Sequence, residues 1–199
     1  MDIEAIQKKI TKKFTGRLLA HSLGVEAMAR RLAIVYGEDE GKTALTAILH
    51  DYGKIYSYSE LLQIAIDNNI VDEISLQEPS LLHAPVGSWL LEHEWGIDDP
   101  EILHAVKTHT TGAVGMSNLA AIIYLADYIE PGRSCPGVGK IRELAFQDLH
   151  KALLSAVDST IKYVLERQGI LHPDSILFRN WLIFKLRKTG RELLGHEVL

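Results

Sequence analysis

Apolar residues recur every three or four positions along most of the chain, and this spacing predicts helices almost throughout. A first helix is expected over residues 3–14 and a second over 21–36, where Gly37 is suited to the left-handed residue that ends a helix. A third helix is expected to end at His50. No stretch shows the strict alternation that marks a half-buried strand. The pattern therefore predicts an all-α fold.

The same reasoning places the later helices and their ends. They are expected at residues 61–66, 71–76, 86–94, 101–108 and 117–129. Pro100 is suited to the first turn of its helix, and Ser117 is suited to an N-cap. The segment Glu78-Pro79-Ser80 should interrupt the chain before Leu81-Leu82-His83, because proline lacks the amide hydrogen that a helix interior needs.

The segment from Pro131 to Gly139 is the richest in proline and glycine, so we expect it to be irregular. It should separate a core of about residues 15–133 from a C-terminal helical hairpin of about residues 140–195. A chain of 199 residues suits one domain, so residues 1–199 are interpreted as a single unit with a helical extension.

Composition narrows the class of protein. Hydrophobic residues make up 47% of the chain and charged residues 24%, as in globular proteins. No apolar run approaches the roughly 20 residues of a membrane span, and the N-terminus does not resemble a secretory signal. The net charge of −5 argues against a nucleic-acid partner. A single cysteine, Cys135, fits a reducing compartment, so we expect a cytoplasmic protein.

The doublet His50-Asp51 stands at the end of an apolar helix and is followed by Gly53 and Lys54. One interpretation is purely structural: a helix C-terminus with Gly53 in a left-handed cap and Lys54 near the negative end of the helix dipole. The other is chemical. At a helix end the backbone can bend, so that imidazole and carboxylate converge on one cation, and this pair suits Fe, Mn, Co or Zn.

The doublet belongs to a longer ordered set of histidines and aspartates, namely His21, His50, Asp51, His83, His109 and Asp127. This order resembles the HD-domain superfamily of metal-dependent phosphohydrolases, which implies an HD-domain helical bundle. The resemblance implies that His21, His50, Asp51 and Asp127 bind one metal ion. It implies that His83 and His109 bind a second metal ion or a substrate phosphate.

Three further blocks resemble the bacterial YqeK family of symmetrical bis(5′-nucleosyl)-tetraphosphatases. They are residues 17–25, the HTTG block at 109–112 and the block Tyr-Leu-Ala-Asp-Tyr-Ile-Glu-Pro-Gly-Arg at 124–133. The resemblance extends from about residue 15 to about residue 185. It implies cleavage of diadenosine tetraphosphate into two ADP, with iron as the favoured metal in one or two ions and Mn, Co or Zn as alternatives. One departure is Ala84, where the family pattern has a glycine and where alanine restricts the backbone.

As a mechanism, we expect the metal to lower the pKa of a bound water, so that hydroxide attacks a phosphorus atom. Asp51 and Lys54 are the predicted catalytic residues. Five residues are predicted to bind the phosphates: Lys54, His83, His109, Thr110 and Arg133. The Arg133 guanidinium suits this role because it can bind two oxygens at once.

Two alternatives stay open. The first is an HD-domain phosphohydrolase for another nucleotide, such as a 5′-nucleotidase, a dNTP triphosphohydrolase, a cyclic-nucleotide phosphodiesterase or a (p)ppGpp hydrolase. The second is a non-catalytic nucleotide-binding or scaffold protein, which the complete ligand set disfavours. The expected partner is thus a dinucleoside polyphosphate or another nucleotide, and a homodimer through exposed apolar helix faces is possible.

Overall fold

The computed structural model describes residues 3–70 and 72–190, and these ranges contain helices and no strand. The predicted all-α fold is therefore confirmed. The helices are α1 Ile3–Thr11, α2 Gly16–Tyr36, α3 Glu40–Leu49, α4 Tyr58–Asp67, α5 Glu73–Gln77, α6 Pro79–Trp95, α7 Pro100–Thr108, α8 Asn118–Ile129, α9 Val138–Ala145, α10 Leu149–Glu166 and α11 Pro173–Lys188. A single 3₁₀ turn, Tyr52–Ile55, follows α3.

Several helix ends follow directly from local chemistry. Gly37 ends α2 with a φ of 71°, a left-handed conformation that glycine adopts without steric cost. Ser117 caps α8, because its side chain accepts a hydrogen bond from the amide of Ala120. Pro100 occupies the first turn of α7, where its missing amide hydrogen has no intrahelical partner to lose.

Helix α6 is longer than the pattern predicts, because it begins at Pro79 and not at residue 86, while the chain is interrupted between α5 and α6 at Glu78, where a break is expected. Pro79 begins α6, Glu78 caps it, and Pro85 lies inside it. Burial explains why the helix continues through Pro85: Leu82 and Val86 are fully buried against the core. Ala84 therefore has a helical backbone, which suits alanine, and it does not disturb the placement of the neighbouring His83.

Helix α8 lies at the centre of the packing. It contacts α2, α3 and α7 on the N-terminal side and α9 and α10 on the C-terminal side. Helix α6 packs on α7 and on the 3₁₀ turn, and α10 packs on α11. One continuous apolar core extends from Ile10 to Leu182. The C-terminal helices therefore share this core.

The predicted proline- and glycine-rich loop ends earlier than expected, because Val138 already begins α9. Helix α9 precedes the pair α10 and α11. The predictions for residue 71 and for residues 191–195 lie outside the described residues. Among the helices that are described, none has the length and apolar character needed to cross a membrane.

Candidate active site

The six histidines and aspartates of the ordered set converge, although they come from five helices or their ends. His21 lies in α2, His50 ends α3, Asp51 precedes the 3₁₀ turn, His83 lies in α6, His109 ends α7 and Asp127 lies in the last turn of α8. Helix ends that meet at one point allow adjacent residues to face the same centre, which a regular helix does not.

Asp51 is fully buried and stands between two groups of these residues. On one side, its Oδ2 atom lies 3.3 Å from His50 Nε2 and 3.5 Å from His21 Nε2. On the other side, its Oδ1 atom lies 3.3 Å from His83 Nε2 and 3.4 Å from His109 Nε2. The two oxygens of one carboxylate thus face two separate sets of nitrogen atoms.

Each set is completed by a close contact of its own. His21 Nε2 lies 3.1 Å from Asp127 Oδ1, which brings the last predicted ligand to the His50 side. His83 Nε2 and His109 Nε2 lie 3.1 Å apart on the opposite side.

Two of the histidines are oriented by their own helices. The Nδ1 atom of His50 donates to the carbonyl of Ala47 at 2.6 Å, and Nδ1 of His109 donates to the carbonyl of Val106 at 2.7 Å. Because a carbonyl only accepts, Nδ1 must hold the proton in both rings. In the neutral form of each ring the lone pair is therefore on Nε2, which faces Asp51.

The electrostatics favour metal-binding protonation states for His109 and the two aspartates, whereas at His50 burial alone would lower the pKa but Asp51 raises it. Burial lowers the pKa of His109 to about 4, so its imidazole is neutral at neutral pH. Burial alone would raise the pKa of Asp51, but the adjacent His50 and His109 lower it well below its usual value. Burial would likewise raise the pKa of Asp127, yet the contact with His21 lowers it. Both aspartates are ionised.

The donor atoms fit a divalent metal ion. His21 Nε2, His50 Nε2 and Asp51 Oδ1 are buried without a hydrogen-bond partner, which is costly for polar atoms unless a cation binds them. Donor atoms of His21, His50 and Asp127 all lie within 4.8 Å of one another, and so do those of His50, Asp51 and His109. The donors are nitrogen and oxygen, without a thiolate.

Close backbone packing positions His83. A Cβ atom at residue 53 would lie 2.3 Å from the carbonyl oxygen of His83, and one at residue 87 would lie 3.0 Å from the amide nitrogen of Gly53. Gly53 is not among the residues with positive φ, so the structural interpretation of it as a left-handed cap is wrong. Glycine is needed there because α6 lies directly against the 3₁₀ turn.

The predicted phosphate-binding cations lie at the rim. Lys54 Nζ lies 2.7 Å from Asp51 Oδ2, and the Lys54 side chain is 41% exposed. The Arg133 guanidinium contacts Asp127 twice, through Nη2 to Oδ1 at 2.5 Å and through Nε to the carbonyl at 3.0 Å. Both cations therefore contact predicted metal ligands and also face solvent.

A cavity of about 650 Å³ adjoins the site, within the roughly 300–1,000 Å³ that is usual for small-molecule sites. Four of the predicted site residues line it, namely His109, Thr110, Asp127 and Arg133, whereas Lys54 and His83 do not. Another part of its lining comes from α10 and includes Ser159, Thr160 and Tyr163, while Tyr128 comes from α8. The C-terminal helices therefore form part of the candidate site.

Two contributors were missed in the sequence. Glu130 contacts His21 Nδ1 at 3.3 Å and lies within the block 124–133, so its position in that block was the available signal. The α10 residues had no such signal, because only the packing of α10 against α8 brings them to the cavity.

Comparison with known proteins agrees with this geometry. The HD domain family model matches residues 18–132, which include all six converging residues. The chain belongs to the HD-domain family. Proteins of known name are similar to it over most of its length. The symmetrical bis(5′-nucleosyl)-tetraphosphatase of Bacillus subtilis is 37% identical over 87% of this chain and 94% of its own length.

A second tetraphosphatase of the same name, from Halalkalibacterium halodurans, is 39% identical over 83% of this chain and 88% of its own length. A crystal structure from Clostridium acetobutylicum, described as a predicted HD superfamily hydrolase involved in NAD metabolism, is also similar. It has a TM-score of 0.86 and 38% identity, and it covers 93% of this chain and 98% of its own. The resemblance to the symmetrical tetraphosphatases is thereby confirmed.

Proposed function

We propose that this HD-domain protein is a metal-dependent hydrolase that cleaves diadenosine tetraphosphate symmetrically into two ADP. Water adds to one of the two inner phosphorus atoms, the P–O–P bridge between them breaks, and each half leaves as a nucleoside diphosphate. The observation that carries the proposal is that His109 and Asp127 belong both to the cluster of metal-binding donors and to the wall of the 650 Å³ cavity. The relatives' names supply the substrate.

His21, His50, Asp51 and Asp127 would hold one ion, and His83 and His109 would hold a second ion or a phosphate oxygen. A divalent metal there supplies Lewis acidity and makes a water nucleophilic at neutral pH. Asp51 supports a two-ion arrangement, since its two oxygens face different groups of histidines. We propose iron, because a mixed imidazole and carboxylate set suits it well, with Mn, Co or Zn as alternatives.

The remaining polar residues bind and orient the substrate. Arg133 and Thr110 line the cavity beside Asp127 and His109, where a phosphate chain entering the site would pass. The Arg133 guanidinium offers more donors than its contact with Asp127 uses, so it can also bind a phosphate oxygen. Lys54 holds the Oδ2 atom of Asp51 and adds positive charge at the rim.

Ion-exchange analysis of the products tests the function. Iron-loaded protein is incubated anaerobically with diadenosine tetraphosphate, beside His50→Ala and the matched control His93→Ala, which removes a histidine that stacks on Trp89 away from the site. ADP as sole product, lost in His50→Ala and kept in His93→Ala, supports the proposal. AMP and ATP as products would contradict symmetrical cleavage. If the protein cleaved only a 5′-nucleotide, (p)ppGpp or NAD⁺, that compound would be the substrate in place of diadenosine tetraphosphate.

A homodimer is a further proposal about this protein. Leu177 and Phe184 stand seven residues apart on α11, so they share a face, and they are 53% and 67% exposed. Sedimentation of the wild type beside a Phe184→Glu variant tests this, because a charge on a buried dimer face would shift the protein to monomer. A cytoplasmic location and the absence of a nucleic-acid partner stay predictions.

A further inference from the structure

Glu130 is one of two acidic residues that are buried in the described part of the chain, the other being Asp51. A buried carboxylate is costly unless hydrogen bonds and opposite charges compensate it. The Oε1 atom of Glu130 lies 3.3 Å from His21 Nδ1, and its Oε2 atom accepts a hydrogen bond from the amide of Gly132 at 2.5 Å. Both carboxylate oxygens are thus engaged within the site.

Two glycines make room for this carboxylate. A Cβ atom at residue 24 would lie 2.7 Å from Glu130 Oε2, and a Cβ atom at residue 132 would lie 2.9 Å from Oε1. Gly24 lies inside α2, where glycine is an unfavourable helix former. Clearance for Glu130 is the feature of the structure that accounts for a glycine there.

His21 differs from the two histidines that are held by their own helices. His50 and His109 donate Nδ1 to carbonyls three residues earlier, whereas His21 faces a carboxylate from the end of α8. Because an ionised carboxylate only accepts, this contact places a proton on Nδ1 of His21, so Nε2 supplies the lone pair when a cation takes the place between it and Asp127. That Nε2 is buried, has no hydrogen-bond partner and lies 3.1 Å from Asp127.

The turn that holds Glu130 is itself held from α9. The guanidinium of Arg142 donates to the carbonyl oxygens of Ile129 at 2.7 Å, Glu130 at 2.8 Å and Arg133 at 2.6 Å. A planar group with several fixed donors suits three carbonyls of one turn. Helix α9 thereby orders the segment that carries both Glu130 and Arg133.

From these contacts we propose that Glu130 is a positioning residue that fixes the tautomer and orientation of His21 as a metal ligand, with Arg142 holding the turn from which Glu130 acts. The inference concerns the site of the proposed function, but it is a statement about metal binding. It assigns α9, which lies outside the matched HD region, a part in that site.

The test is the affinity of the metal-free protein for Mn²⁺ alone, measured by competition with a fluorescent chelator. Glu130→Gln keeps the shape of the side chain but offers one acceptor oxygen for two donors, His21 Nδ1 and the amide of Gly132. The NH₂ group of the glutamine would therefore face one of these N–H groups. We expect the Mn²⁺ affinity to fall by roughly 10–100-fold, the usual effect of removing an outer-shell partner of a metal-binding histidine. The matched control is Glu143→Gln, an exposed glutamate of α9, whose affinity should equal the wild type.

A second readout separates positioning from a purely structural role. In long-range ¹H–¹⁵N spectra of the metal-free protein, Nδ1 of His21 should carry a proton throughout the wild-type population and lose it in part of the population of Glu130→Gln. If Glu130→Gln does not fold, the Mn²⁺ affinity of Gly24→Ala tests the inference instead. Alanine is a better helix former than glycine, and its Cβ atom would displace the Glu130 carboxylate. Lower affinity in Gly24→Ala supports the inference.

Wild-type Mn²⁺ affinity and an unchanged His21 tautomer in a folded variant would overturn the inference. The proposed function fails separately. If Glu130→Gln weakens metal binding but the wild type does not cleave diadenosine tetraphosphate, the inference stands and the substrate is wrong. If the wild type cleaves it while Glu130→Gln binds Mn²⁺ normally, the function stands and the inference does not.

Discussion

Gly53 and His83 lie so close that a Cβ atom at residue 53 would stand 2.3 Å from the carbonyl oxygen of His83. The contact joins the 3₁₀ turn after Asp51 to helix α6. It therefore sets the distance between Asp51 and His83, one of the histidines that face Asp51.

The substitution Gly53→Ala should lower the free energy of unfolding by about 1–3 kcal/mol, the usual cost of overpacking. Urea unfolding of the metal-free protein measures this. Gly139→Ala is the control, because Gly139 lies in α9 with open space around it, and alanine there should be neutral or stabilising. Equal stability of Gly53→Ala and the wild type would show that the turn and α6 can move apart.

Asp51→Asn should abolish turnover and metal binding together. An amide offers one neutral oxygen where the carboxylate offers two charged ones, so it cannot supply an oxygen ligand on both the His50 side and the His83 side. We expect the loss of activity to exceed the roughly 10–100-fold that removal of an outer-shell partner costs. Metal content after dialysis and the initial rate are the measurements. A variant that keeps its metal and its rate would exclude Asp51 as a ligand.

Removing Arg133 should affect the substrate more than the metal. Because a charge-assisted hydrogen bond contributes about 1.5–3 kcal/mol, Arg133→Met should raise KM for diadenosine tetraphosphate by roughly 10–100-fold. Steady-state kinetics beside the control Arg187→Met, an exposed arginine at the end of α11, measure this. An unchanged KM with a reduced metal content would instead mean that Arg133 serves Asp127 alone.

Filling the cavity from α10 should exclude the substrate. Ser159 lines the cavity, so Ser159→Trp should raise KM or abolish turnover while Mn²⁺ affinity stays at the wild-type value. Leu165→Trp is the control, since Leu165 lies on the same helix, is 60% exposed and does not line the cavity. Normal kinetics of Ser159→Trp would place the nucleotide elsewhere.

The ion pair between Asp99 and Lys42 should make the free energy of unfolding depend on pH. Burial alone would raise the pKa of Asp99, but Lys42 and the first amides of α7 lower it below its usual value. The ionised form is thus favoured by folding, and its contribution is present above the ordinary pKa of 3.8 and is lost as pH falls through the lower folded value. Asp99→Asn should cost about 0.2–1 kcal/mol at neutral pH, as exposed ion pairs do, and less in acid.

Urea unfolding at neutral and acidic pH checks this, with the exposed neighbour Asp98→Asn as control. A stability difference between Asp99→Asn and the wild type that does not shrink in acid would mean that the ion pair is not its source.

Local chemistry explains which parts of the fold were predictable. The ends of α2, α7 and α8 follow from Gly37, Pro100 and Ser117, whose effects involve only neighbouring residues. Helix α6 was not predictable in this way, because burial of Leu82 and Val86 outweighs the preference of Pro85 for a break. Such burial depends on partners that are distant in sequence.

The same distinction, between features set by neighbouring residues and features set by distant partners, applies to the candidate site. The order of histidines and aspartates was visible because it resembles the HD-domain pattern, and the structure brings all six together around Asp51. The block at 124–133 drew attention to Glu130, but its contact with His21 was not visible, because it depends on the clearance at Gly24 where α2 packs on α8. The α10 wall of the cavity was missed for the same reason.

Phe178 of α11 is fully buried, and its ring occupies the space where a side chain at Gly112 would lie. The last residue of the HTTG block is therefore shaped by a helix that lies beyond the region matched to the HD family. Transplanting the ligand-bearing helices into another scaffold would leave this loop without its partner. The smallest unit that could be exchanged between proteins thus includes α11, so engineering must move the tail together with the predicted metal ligands.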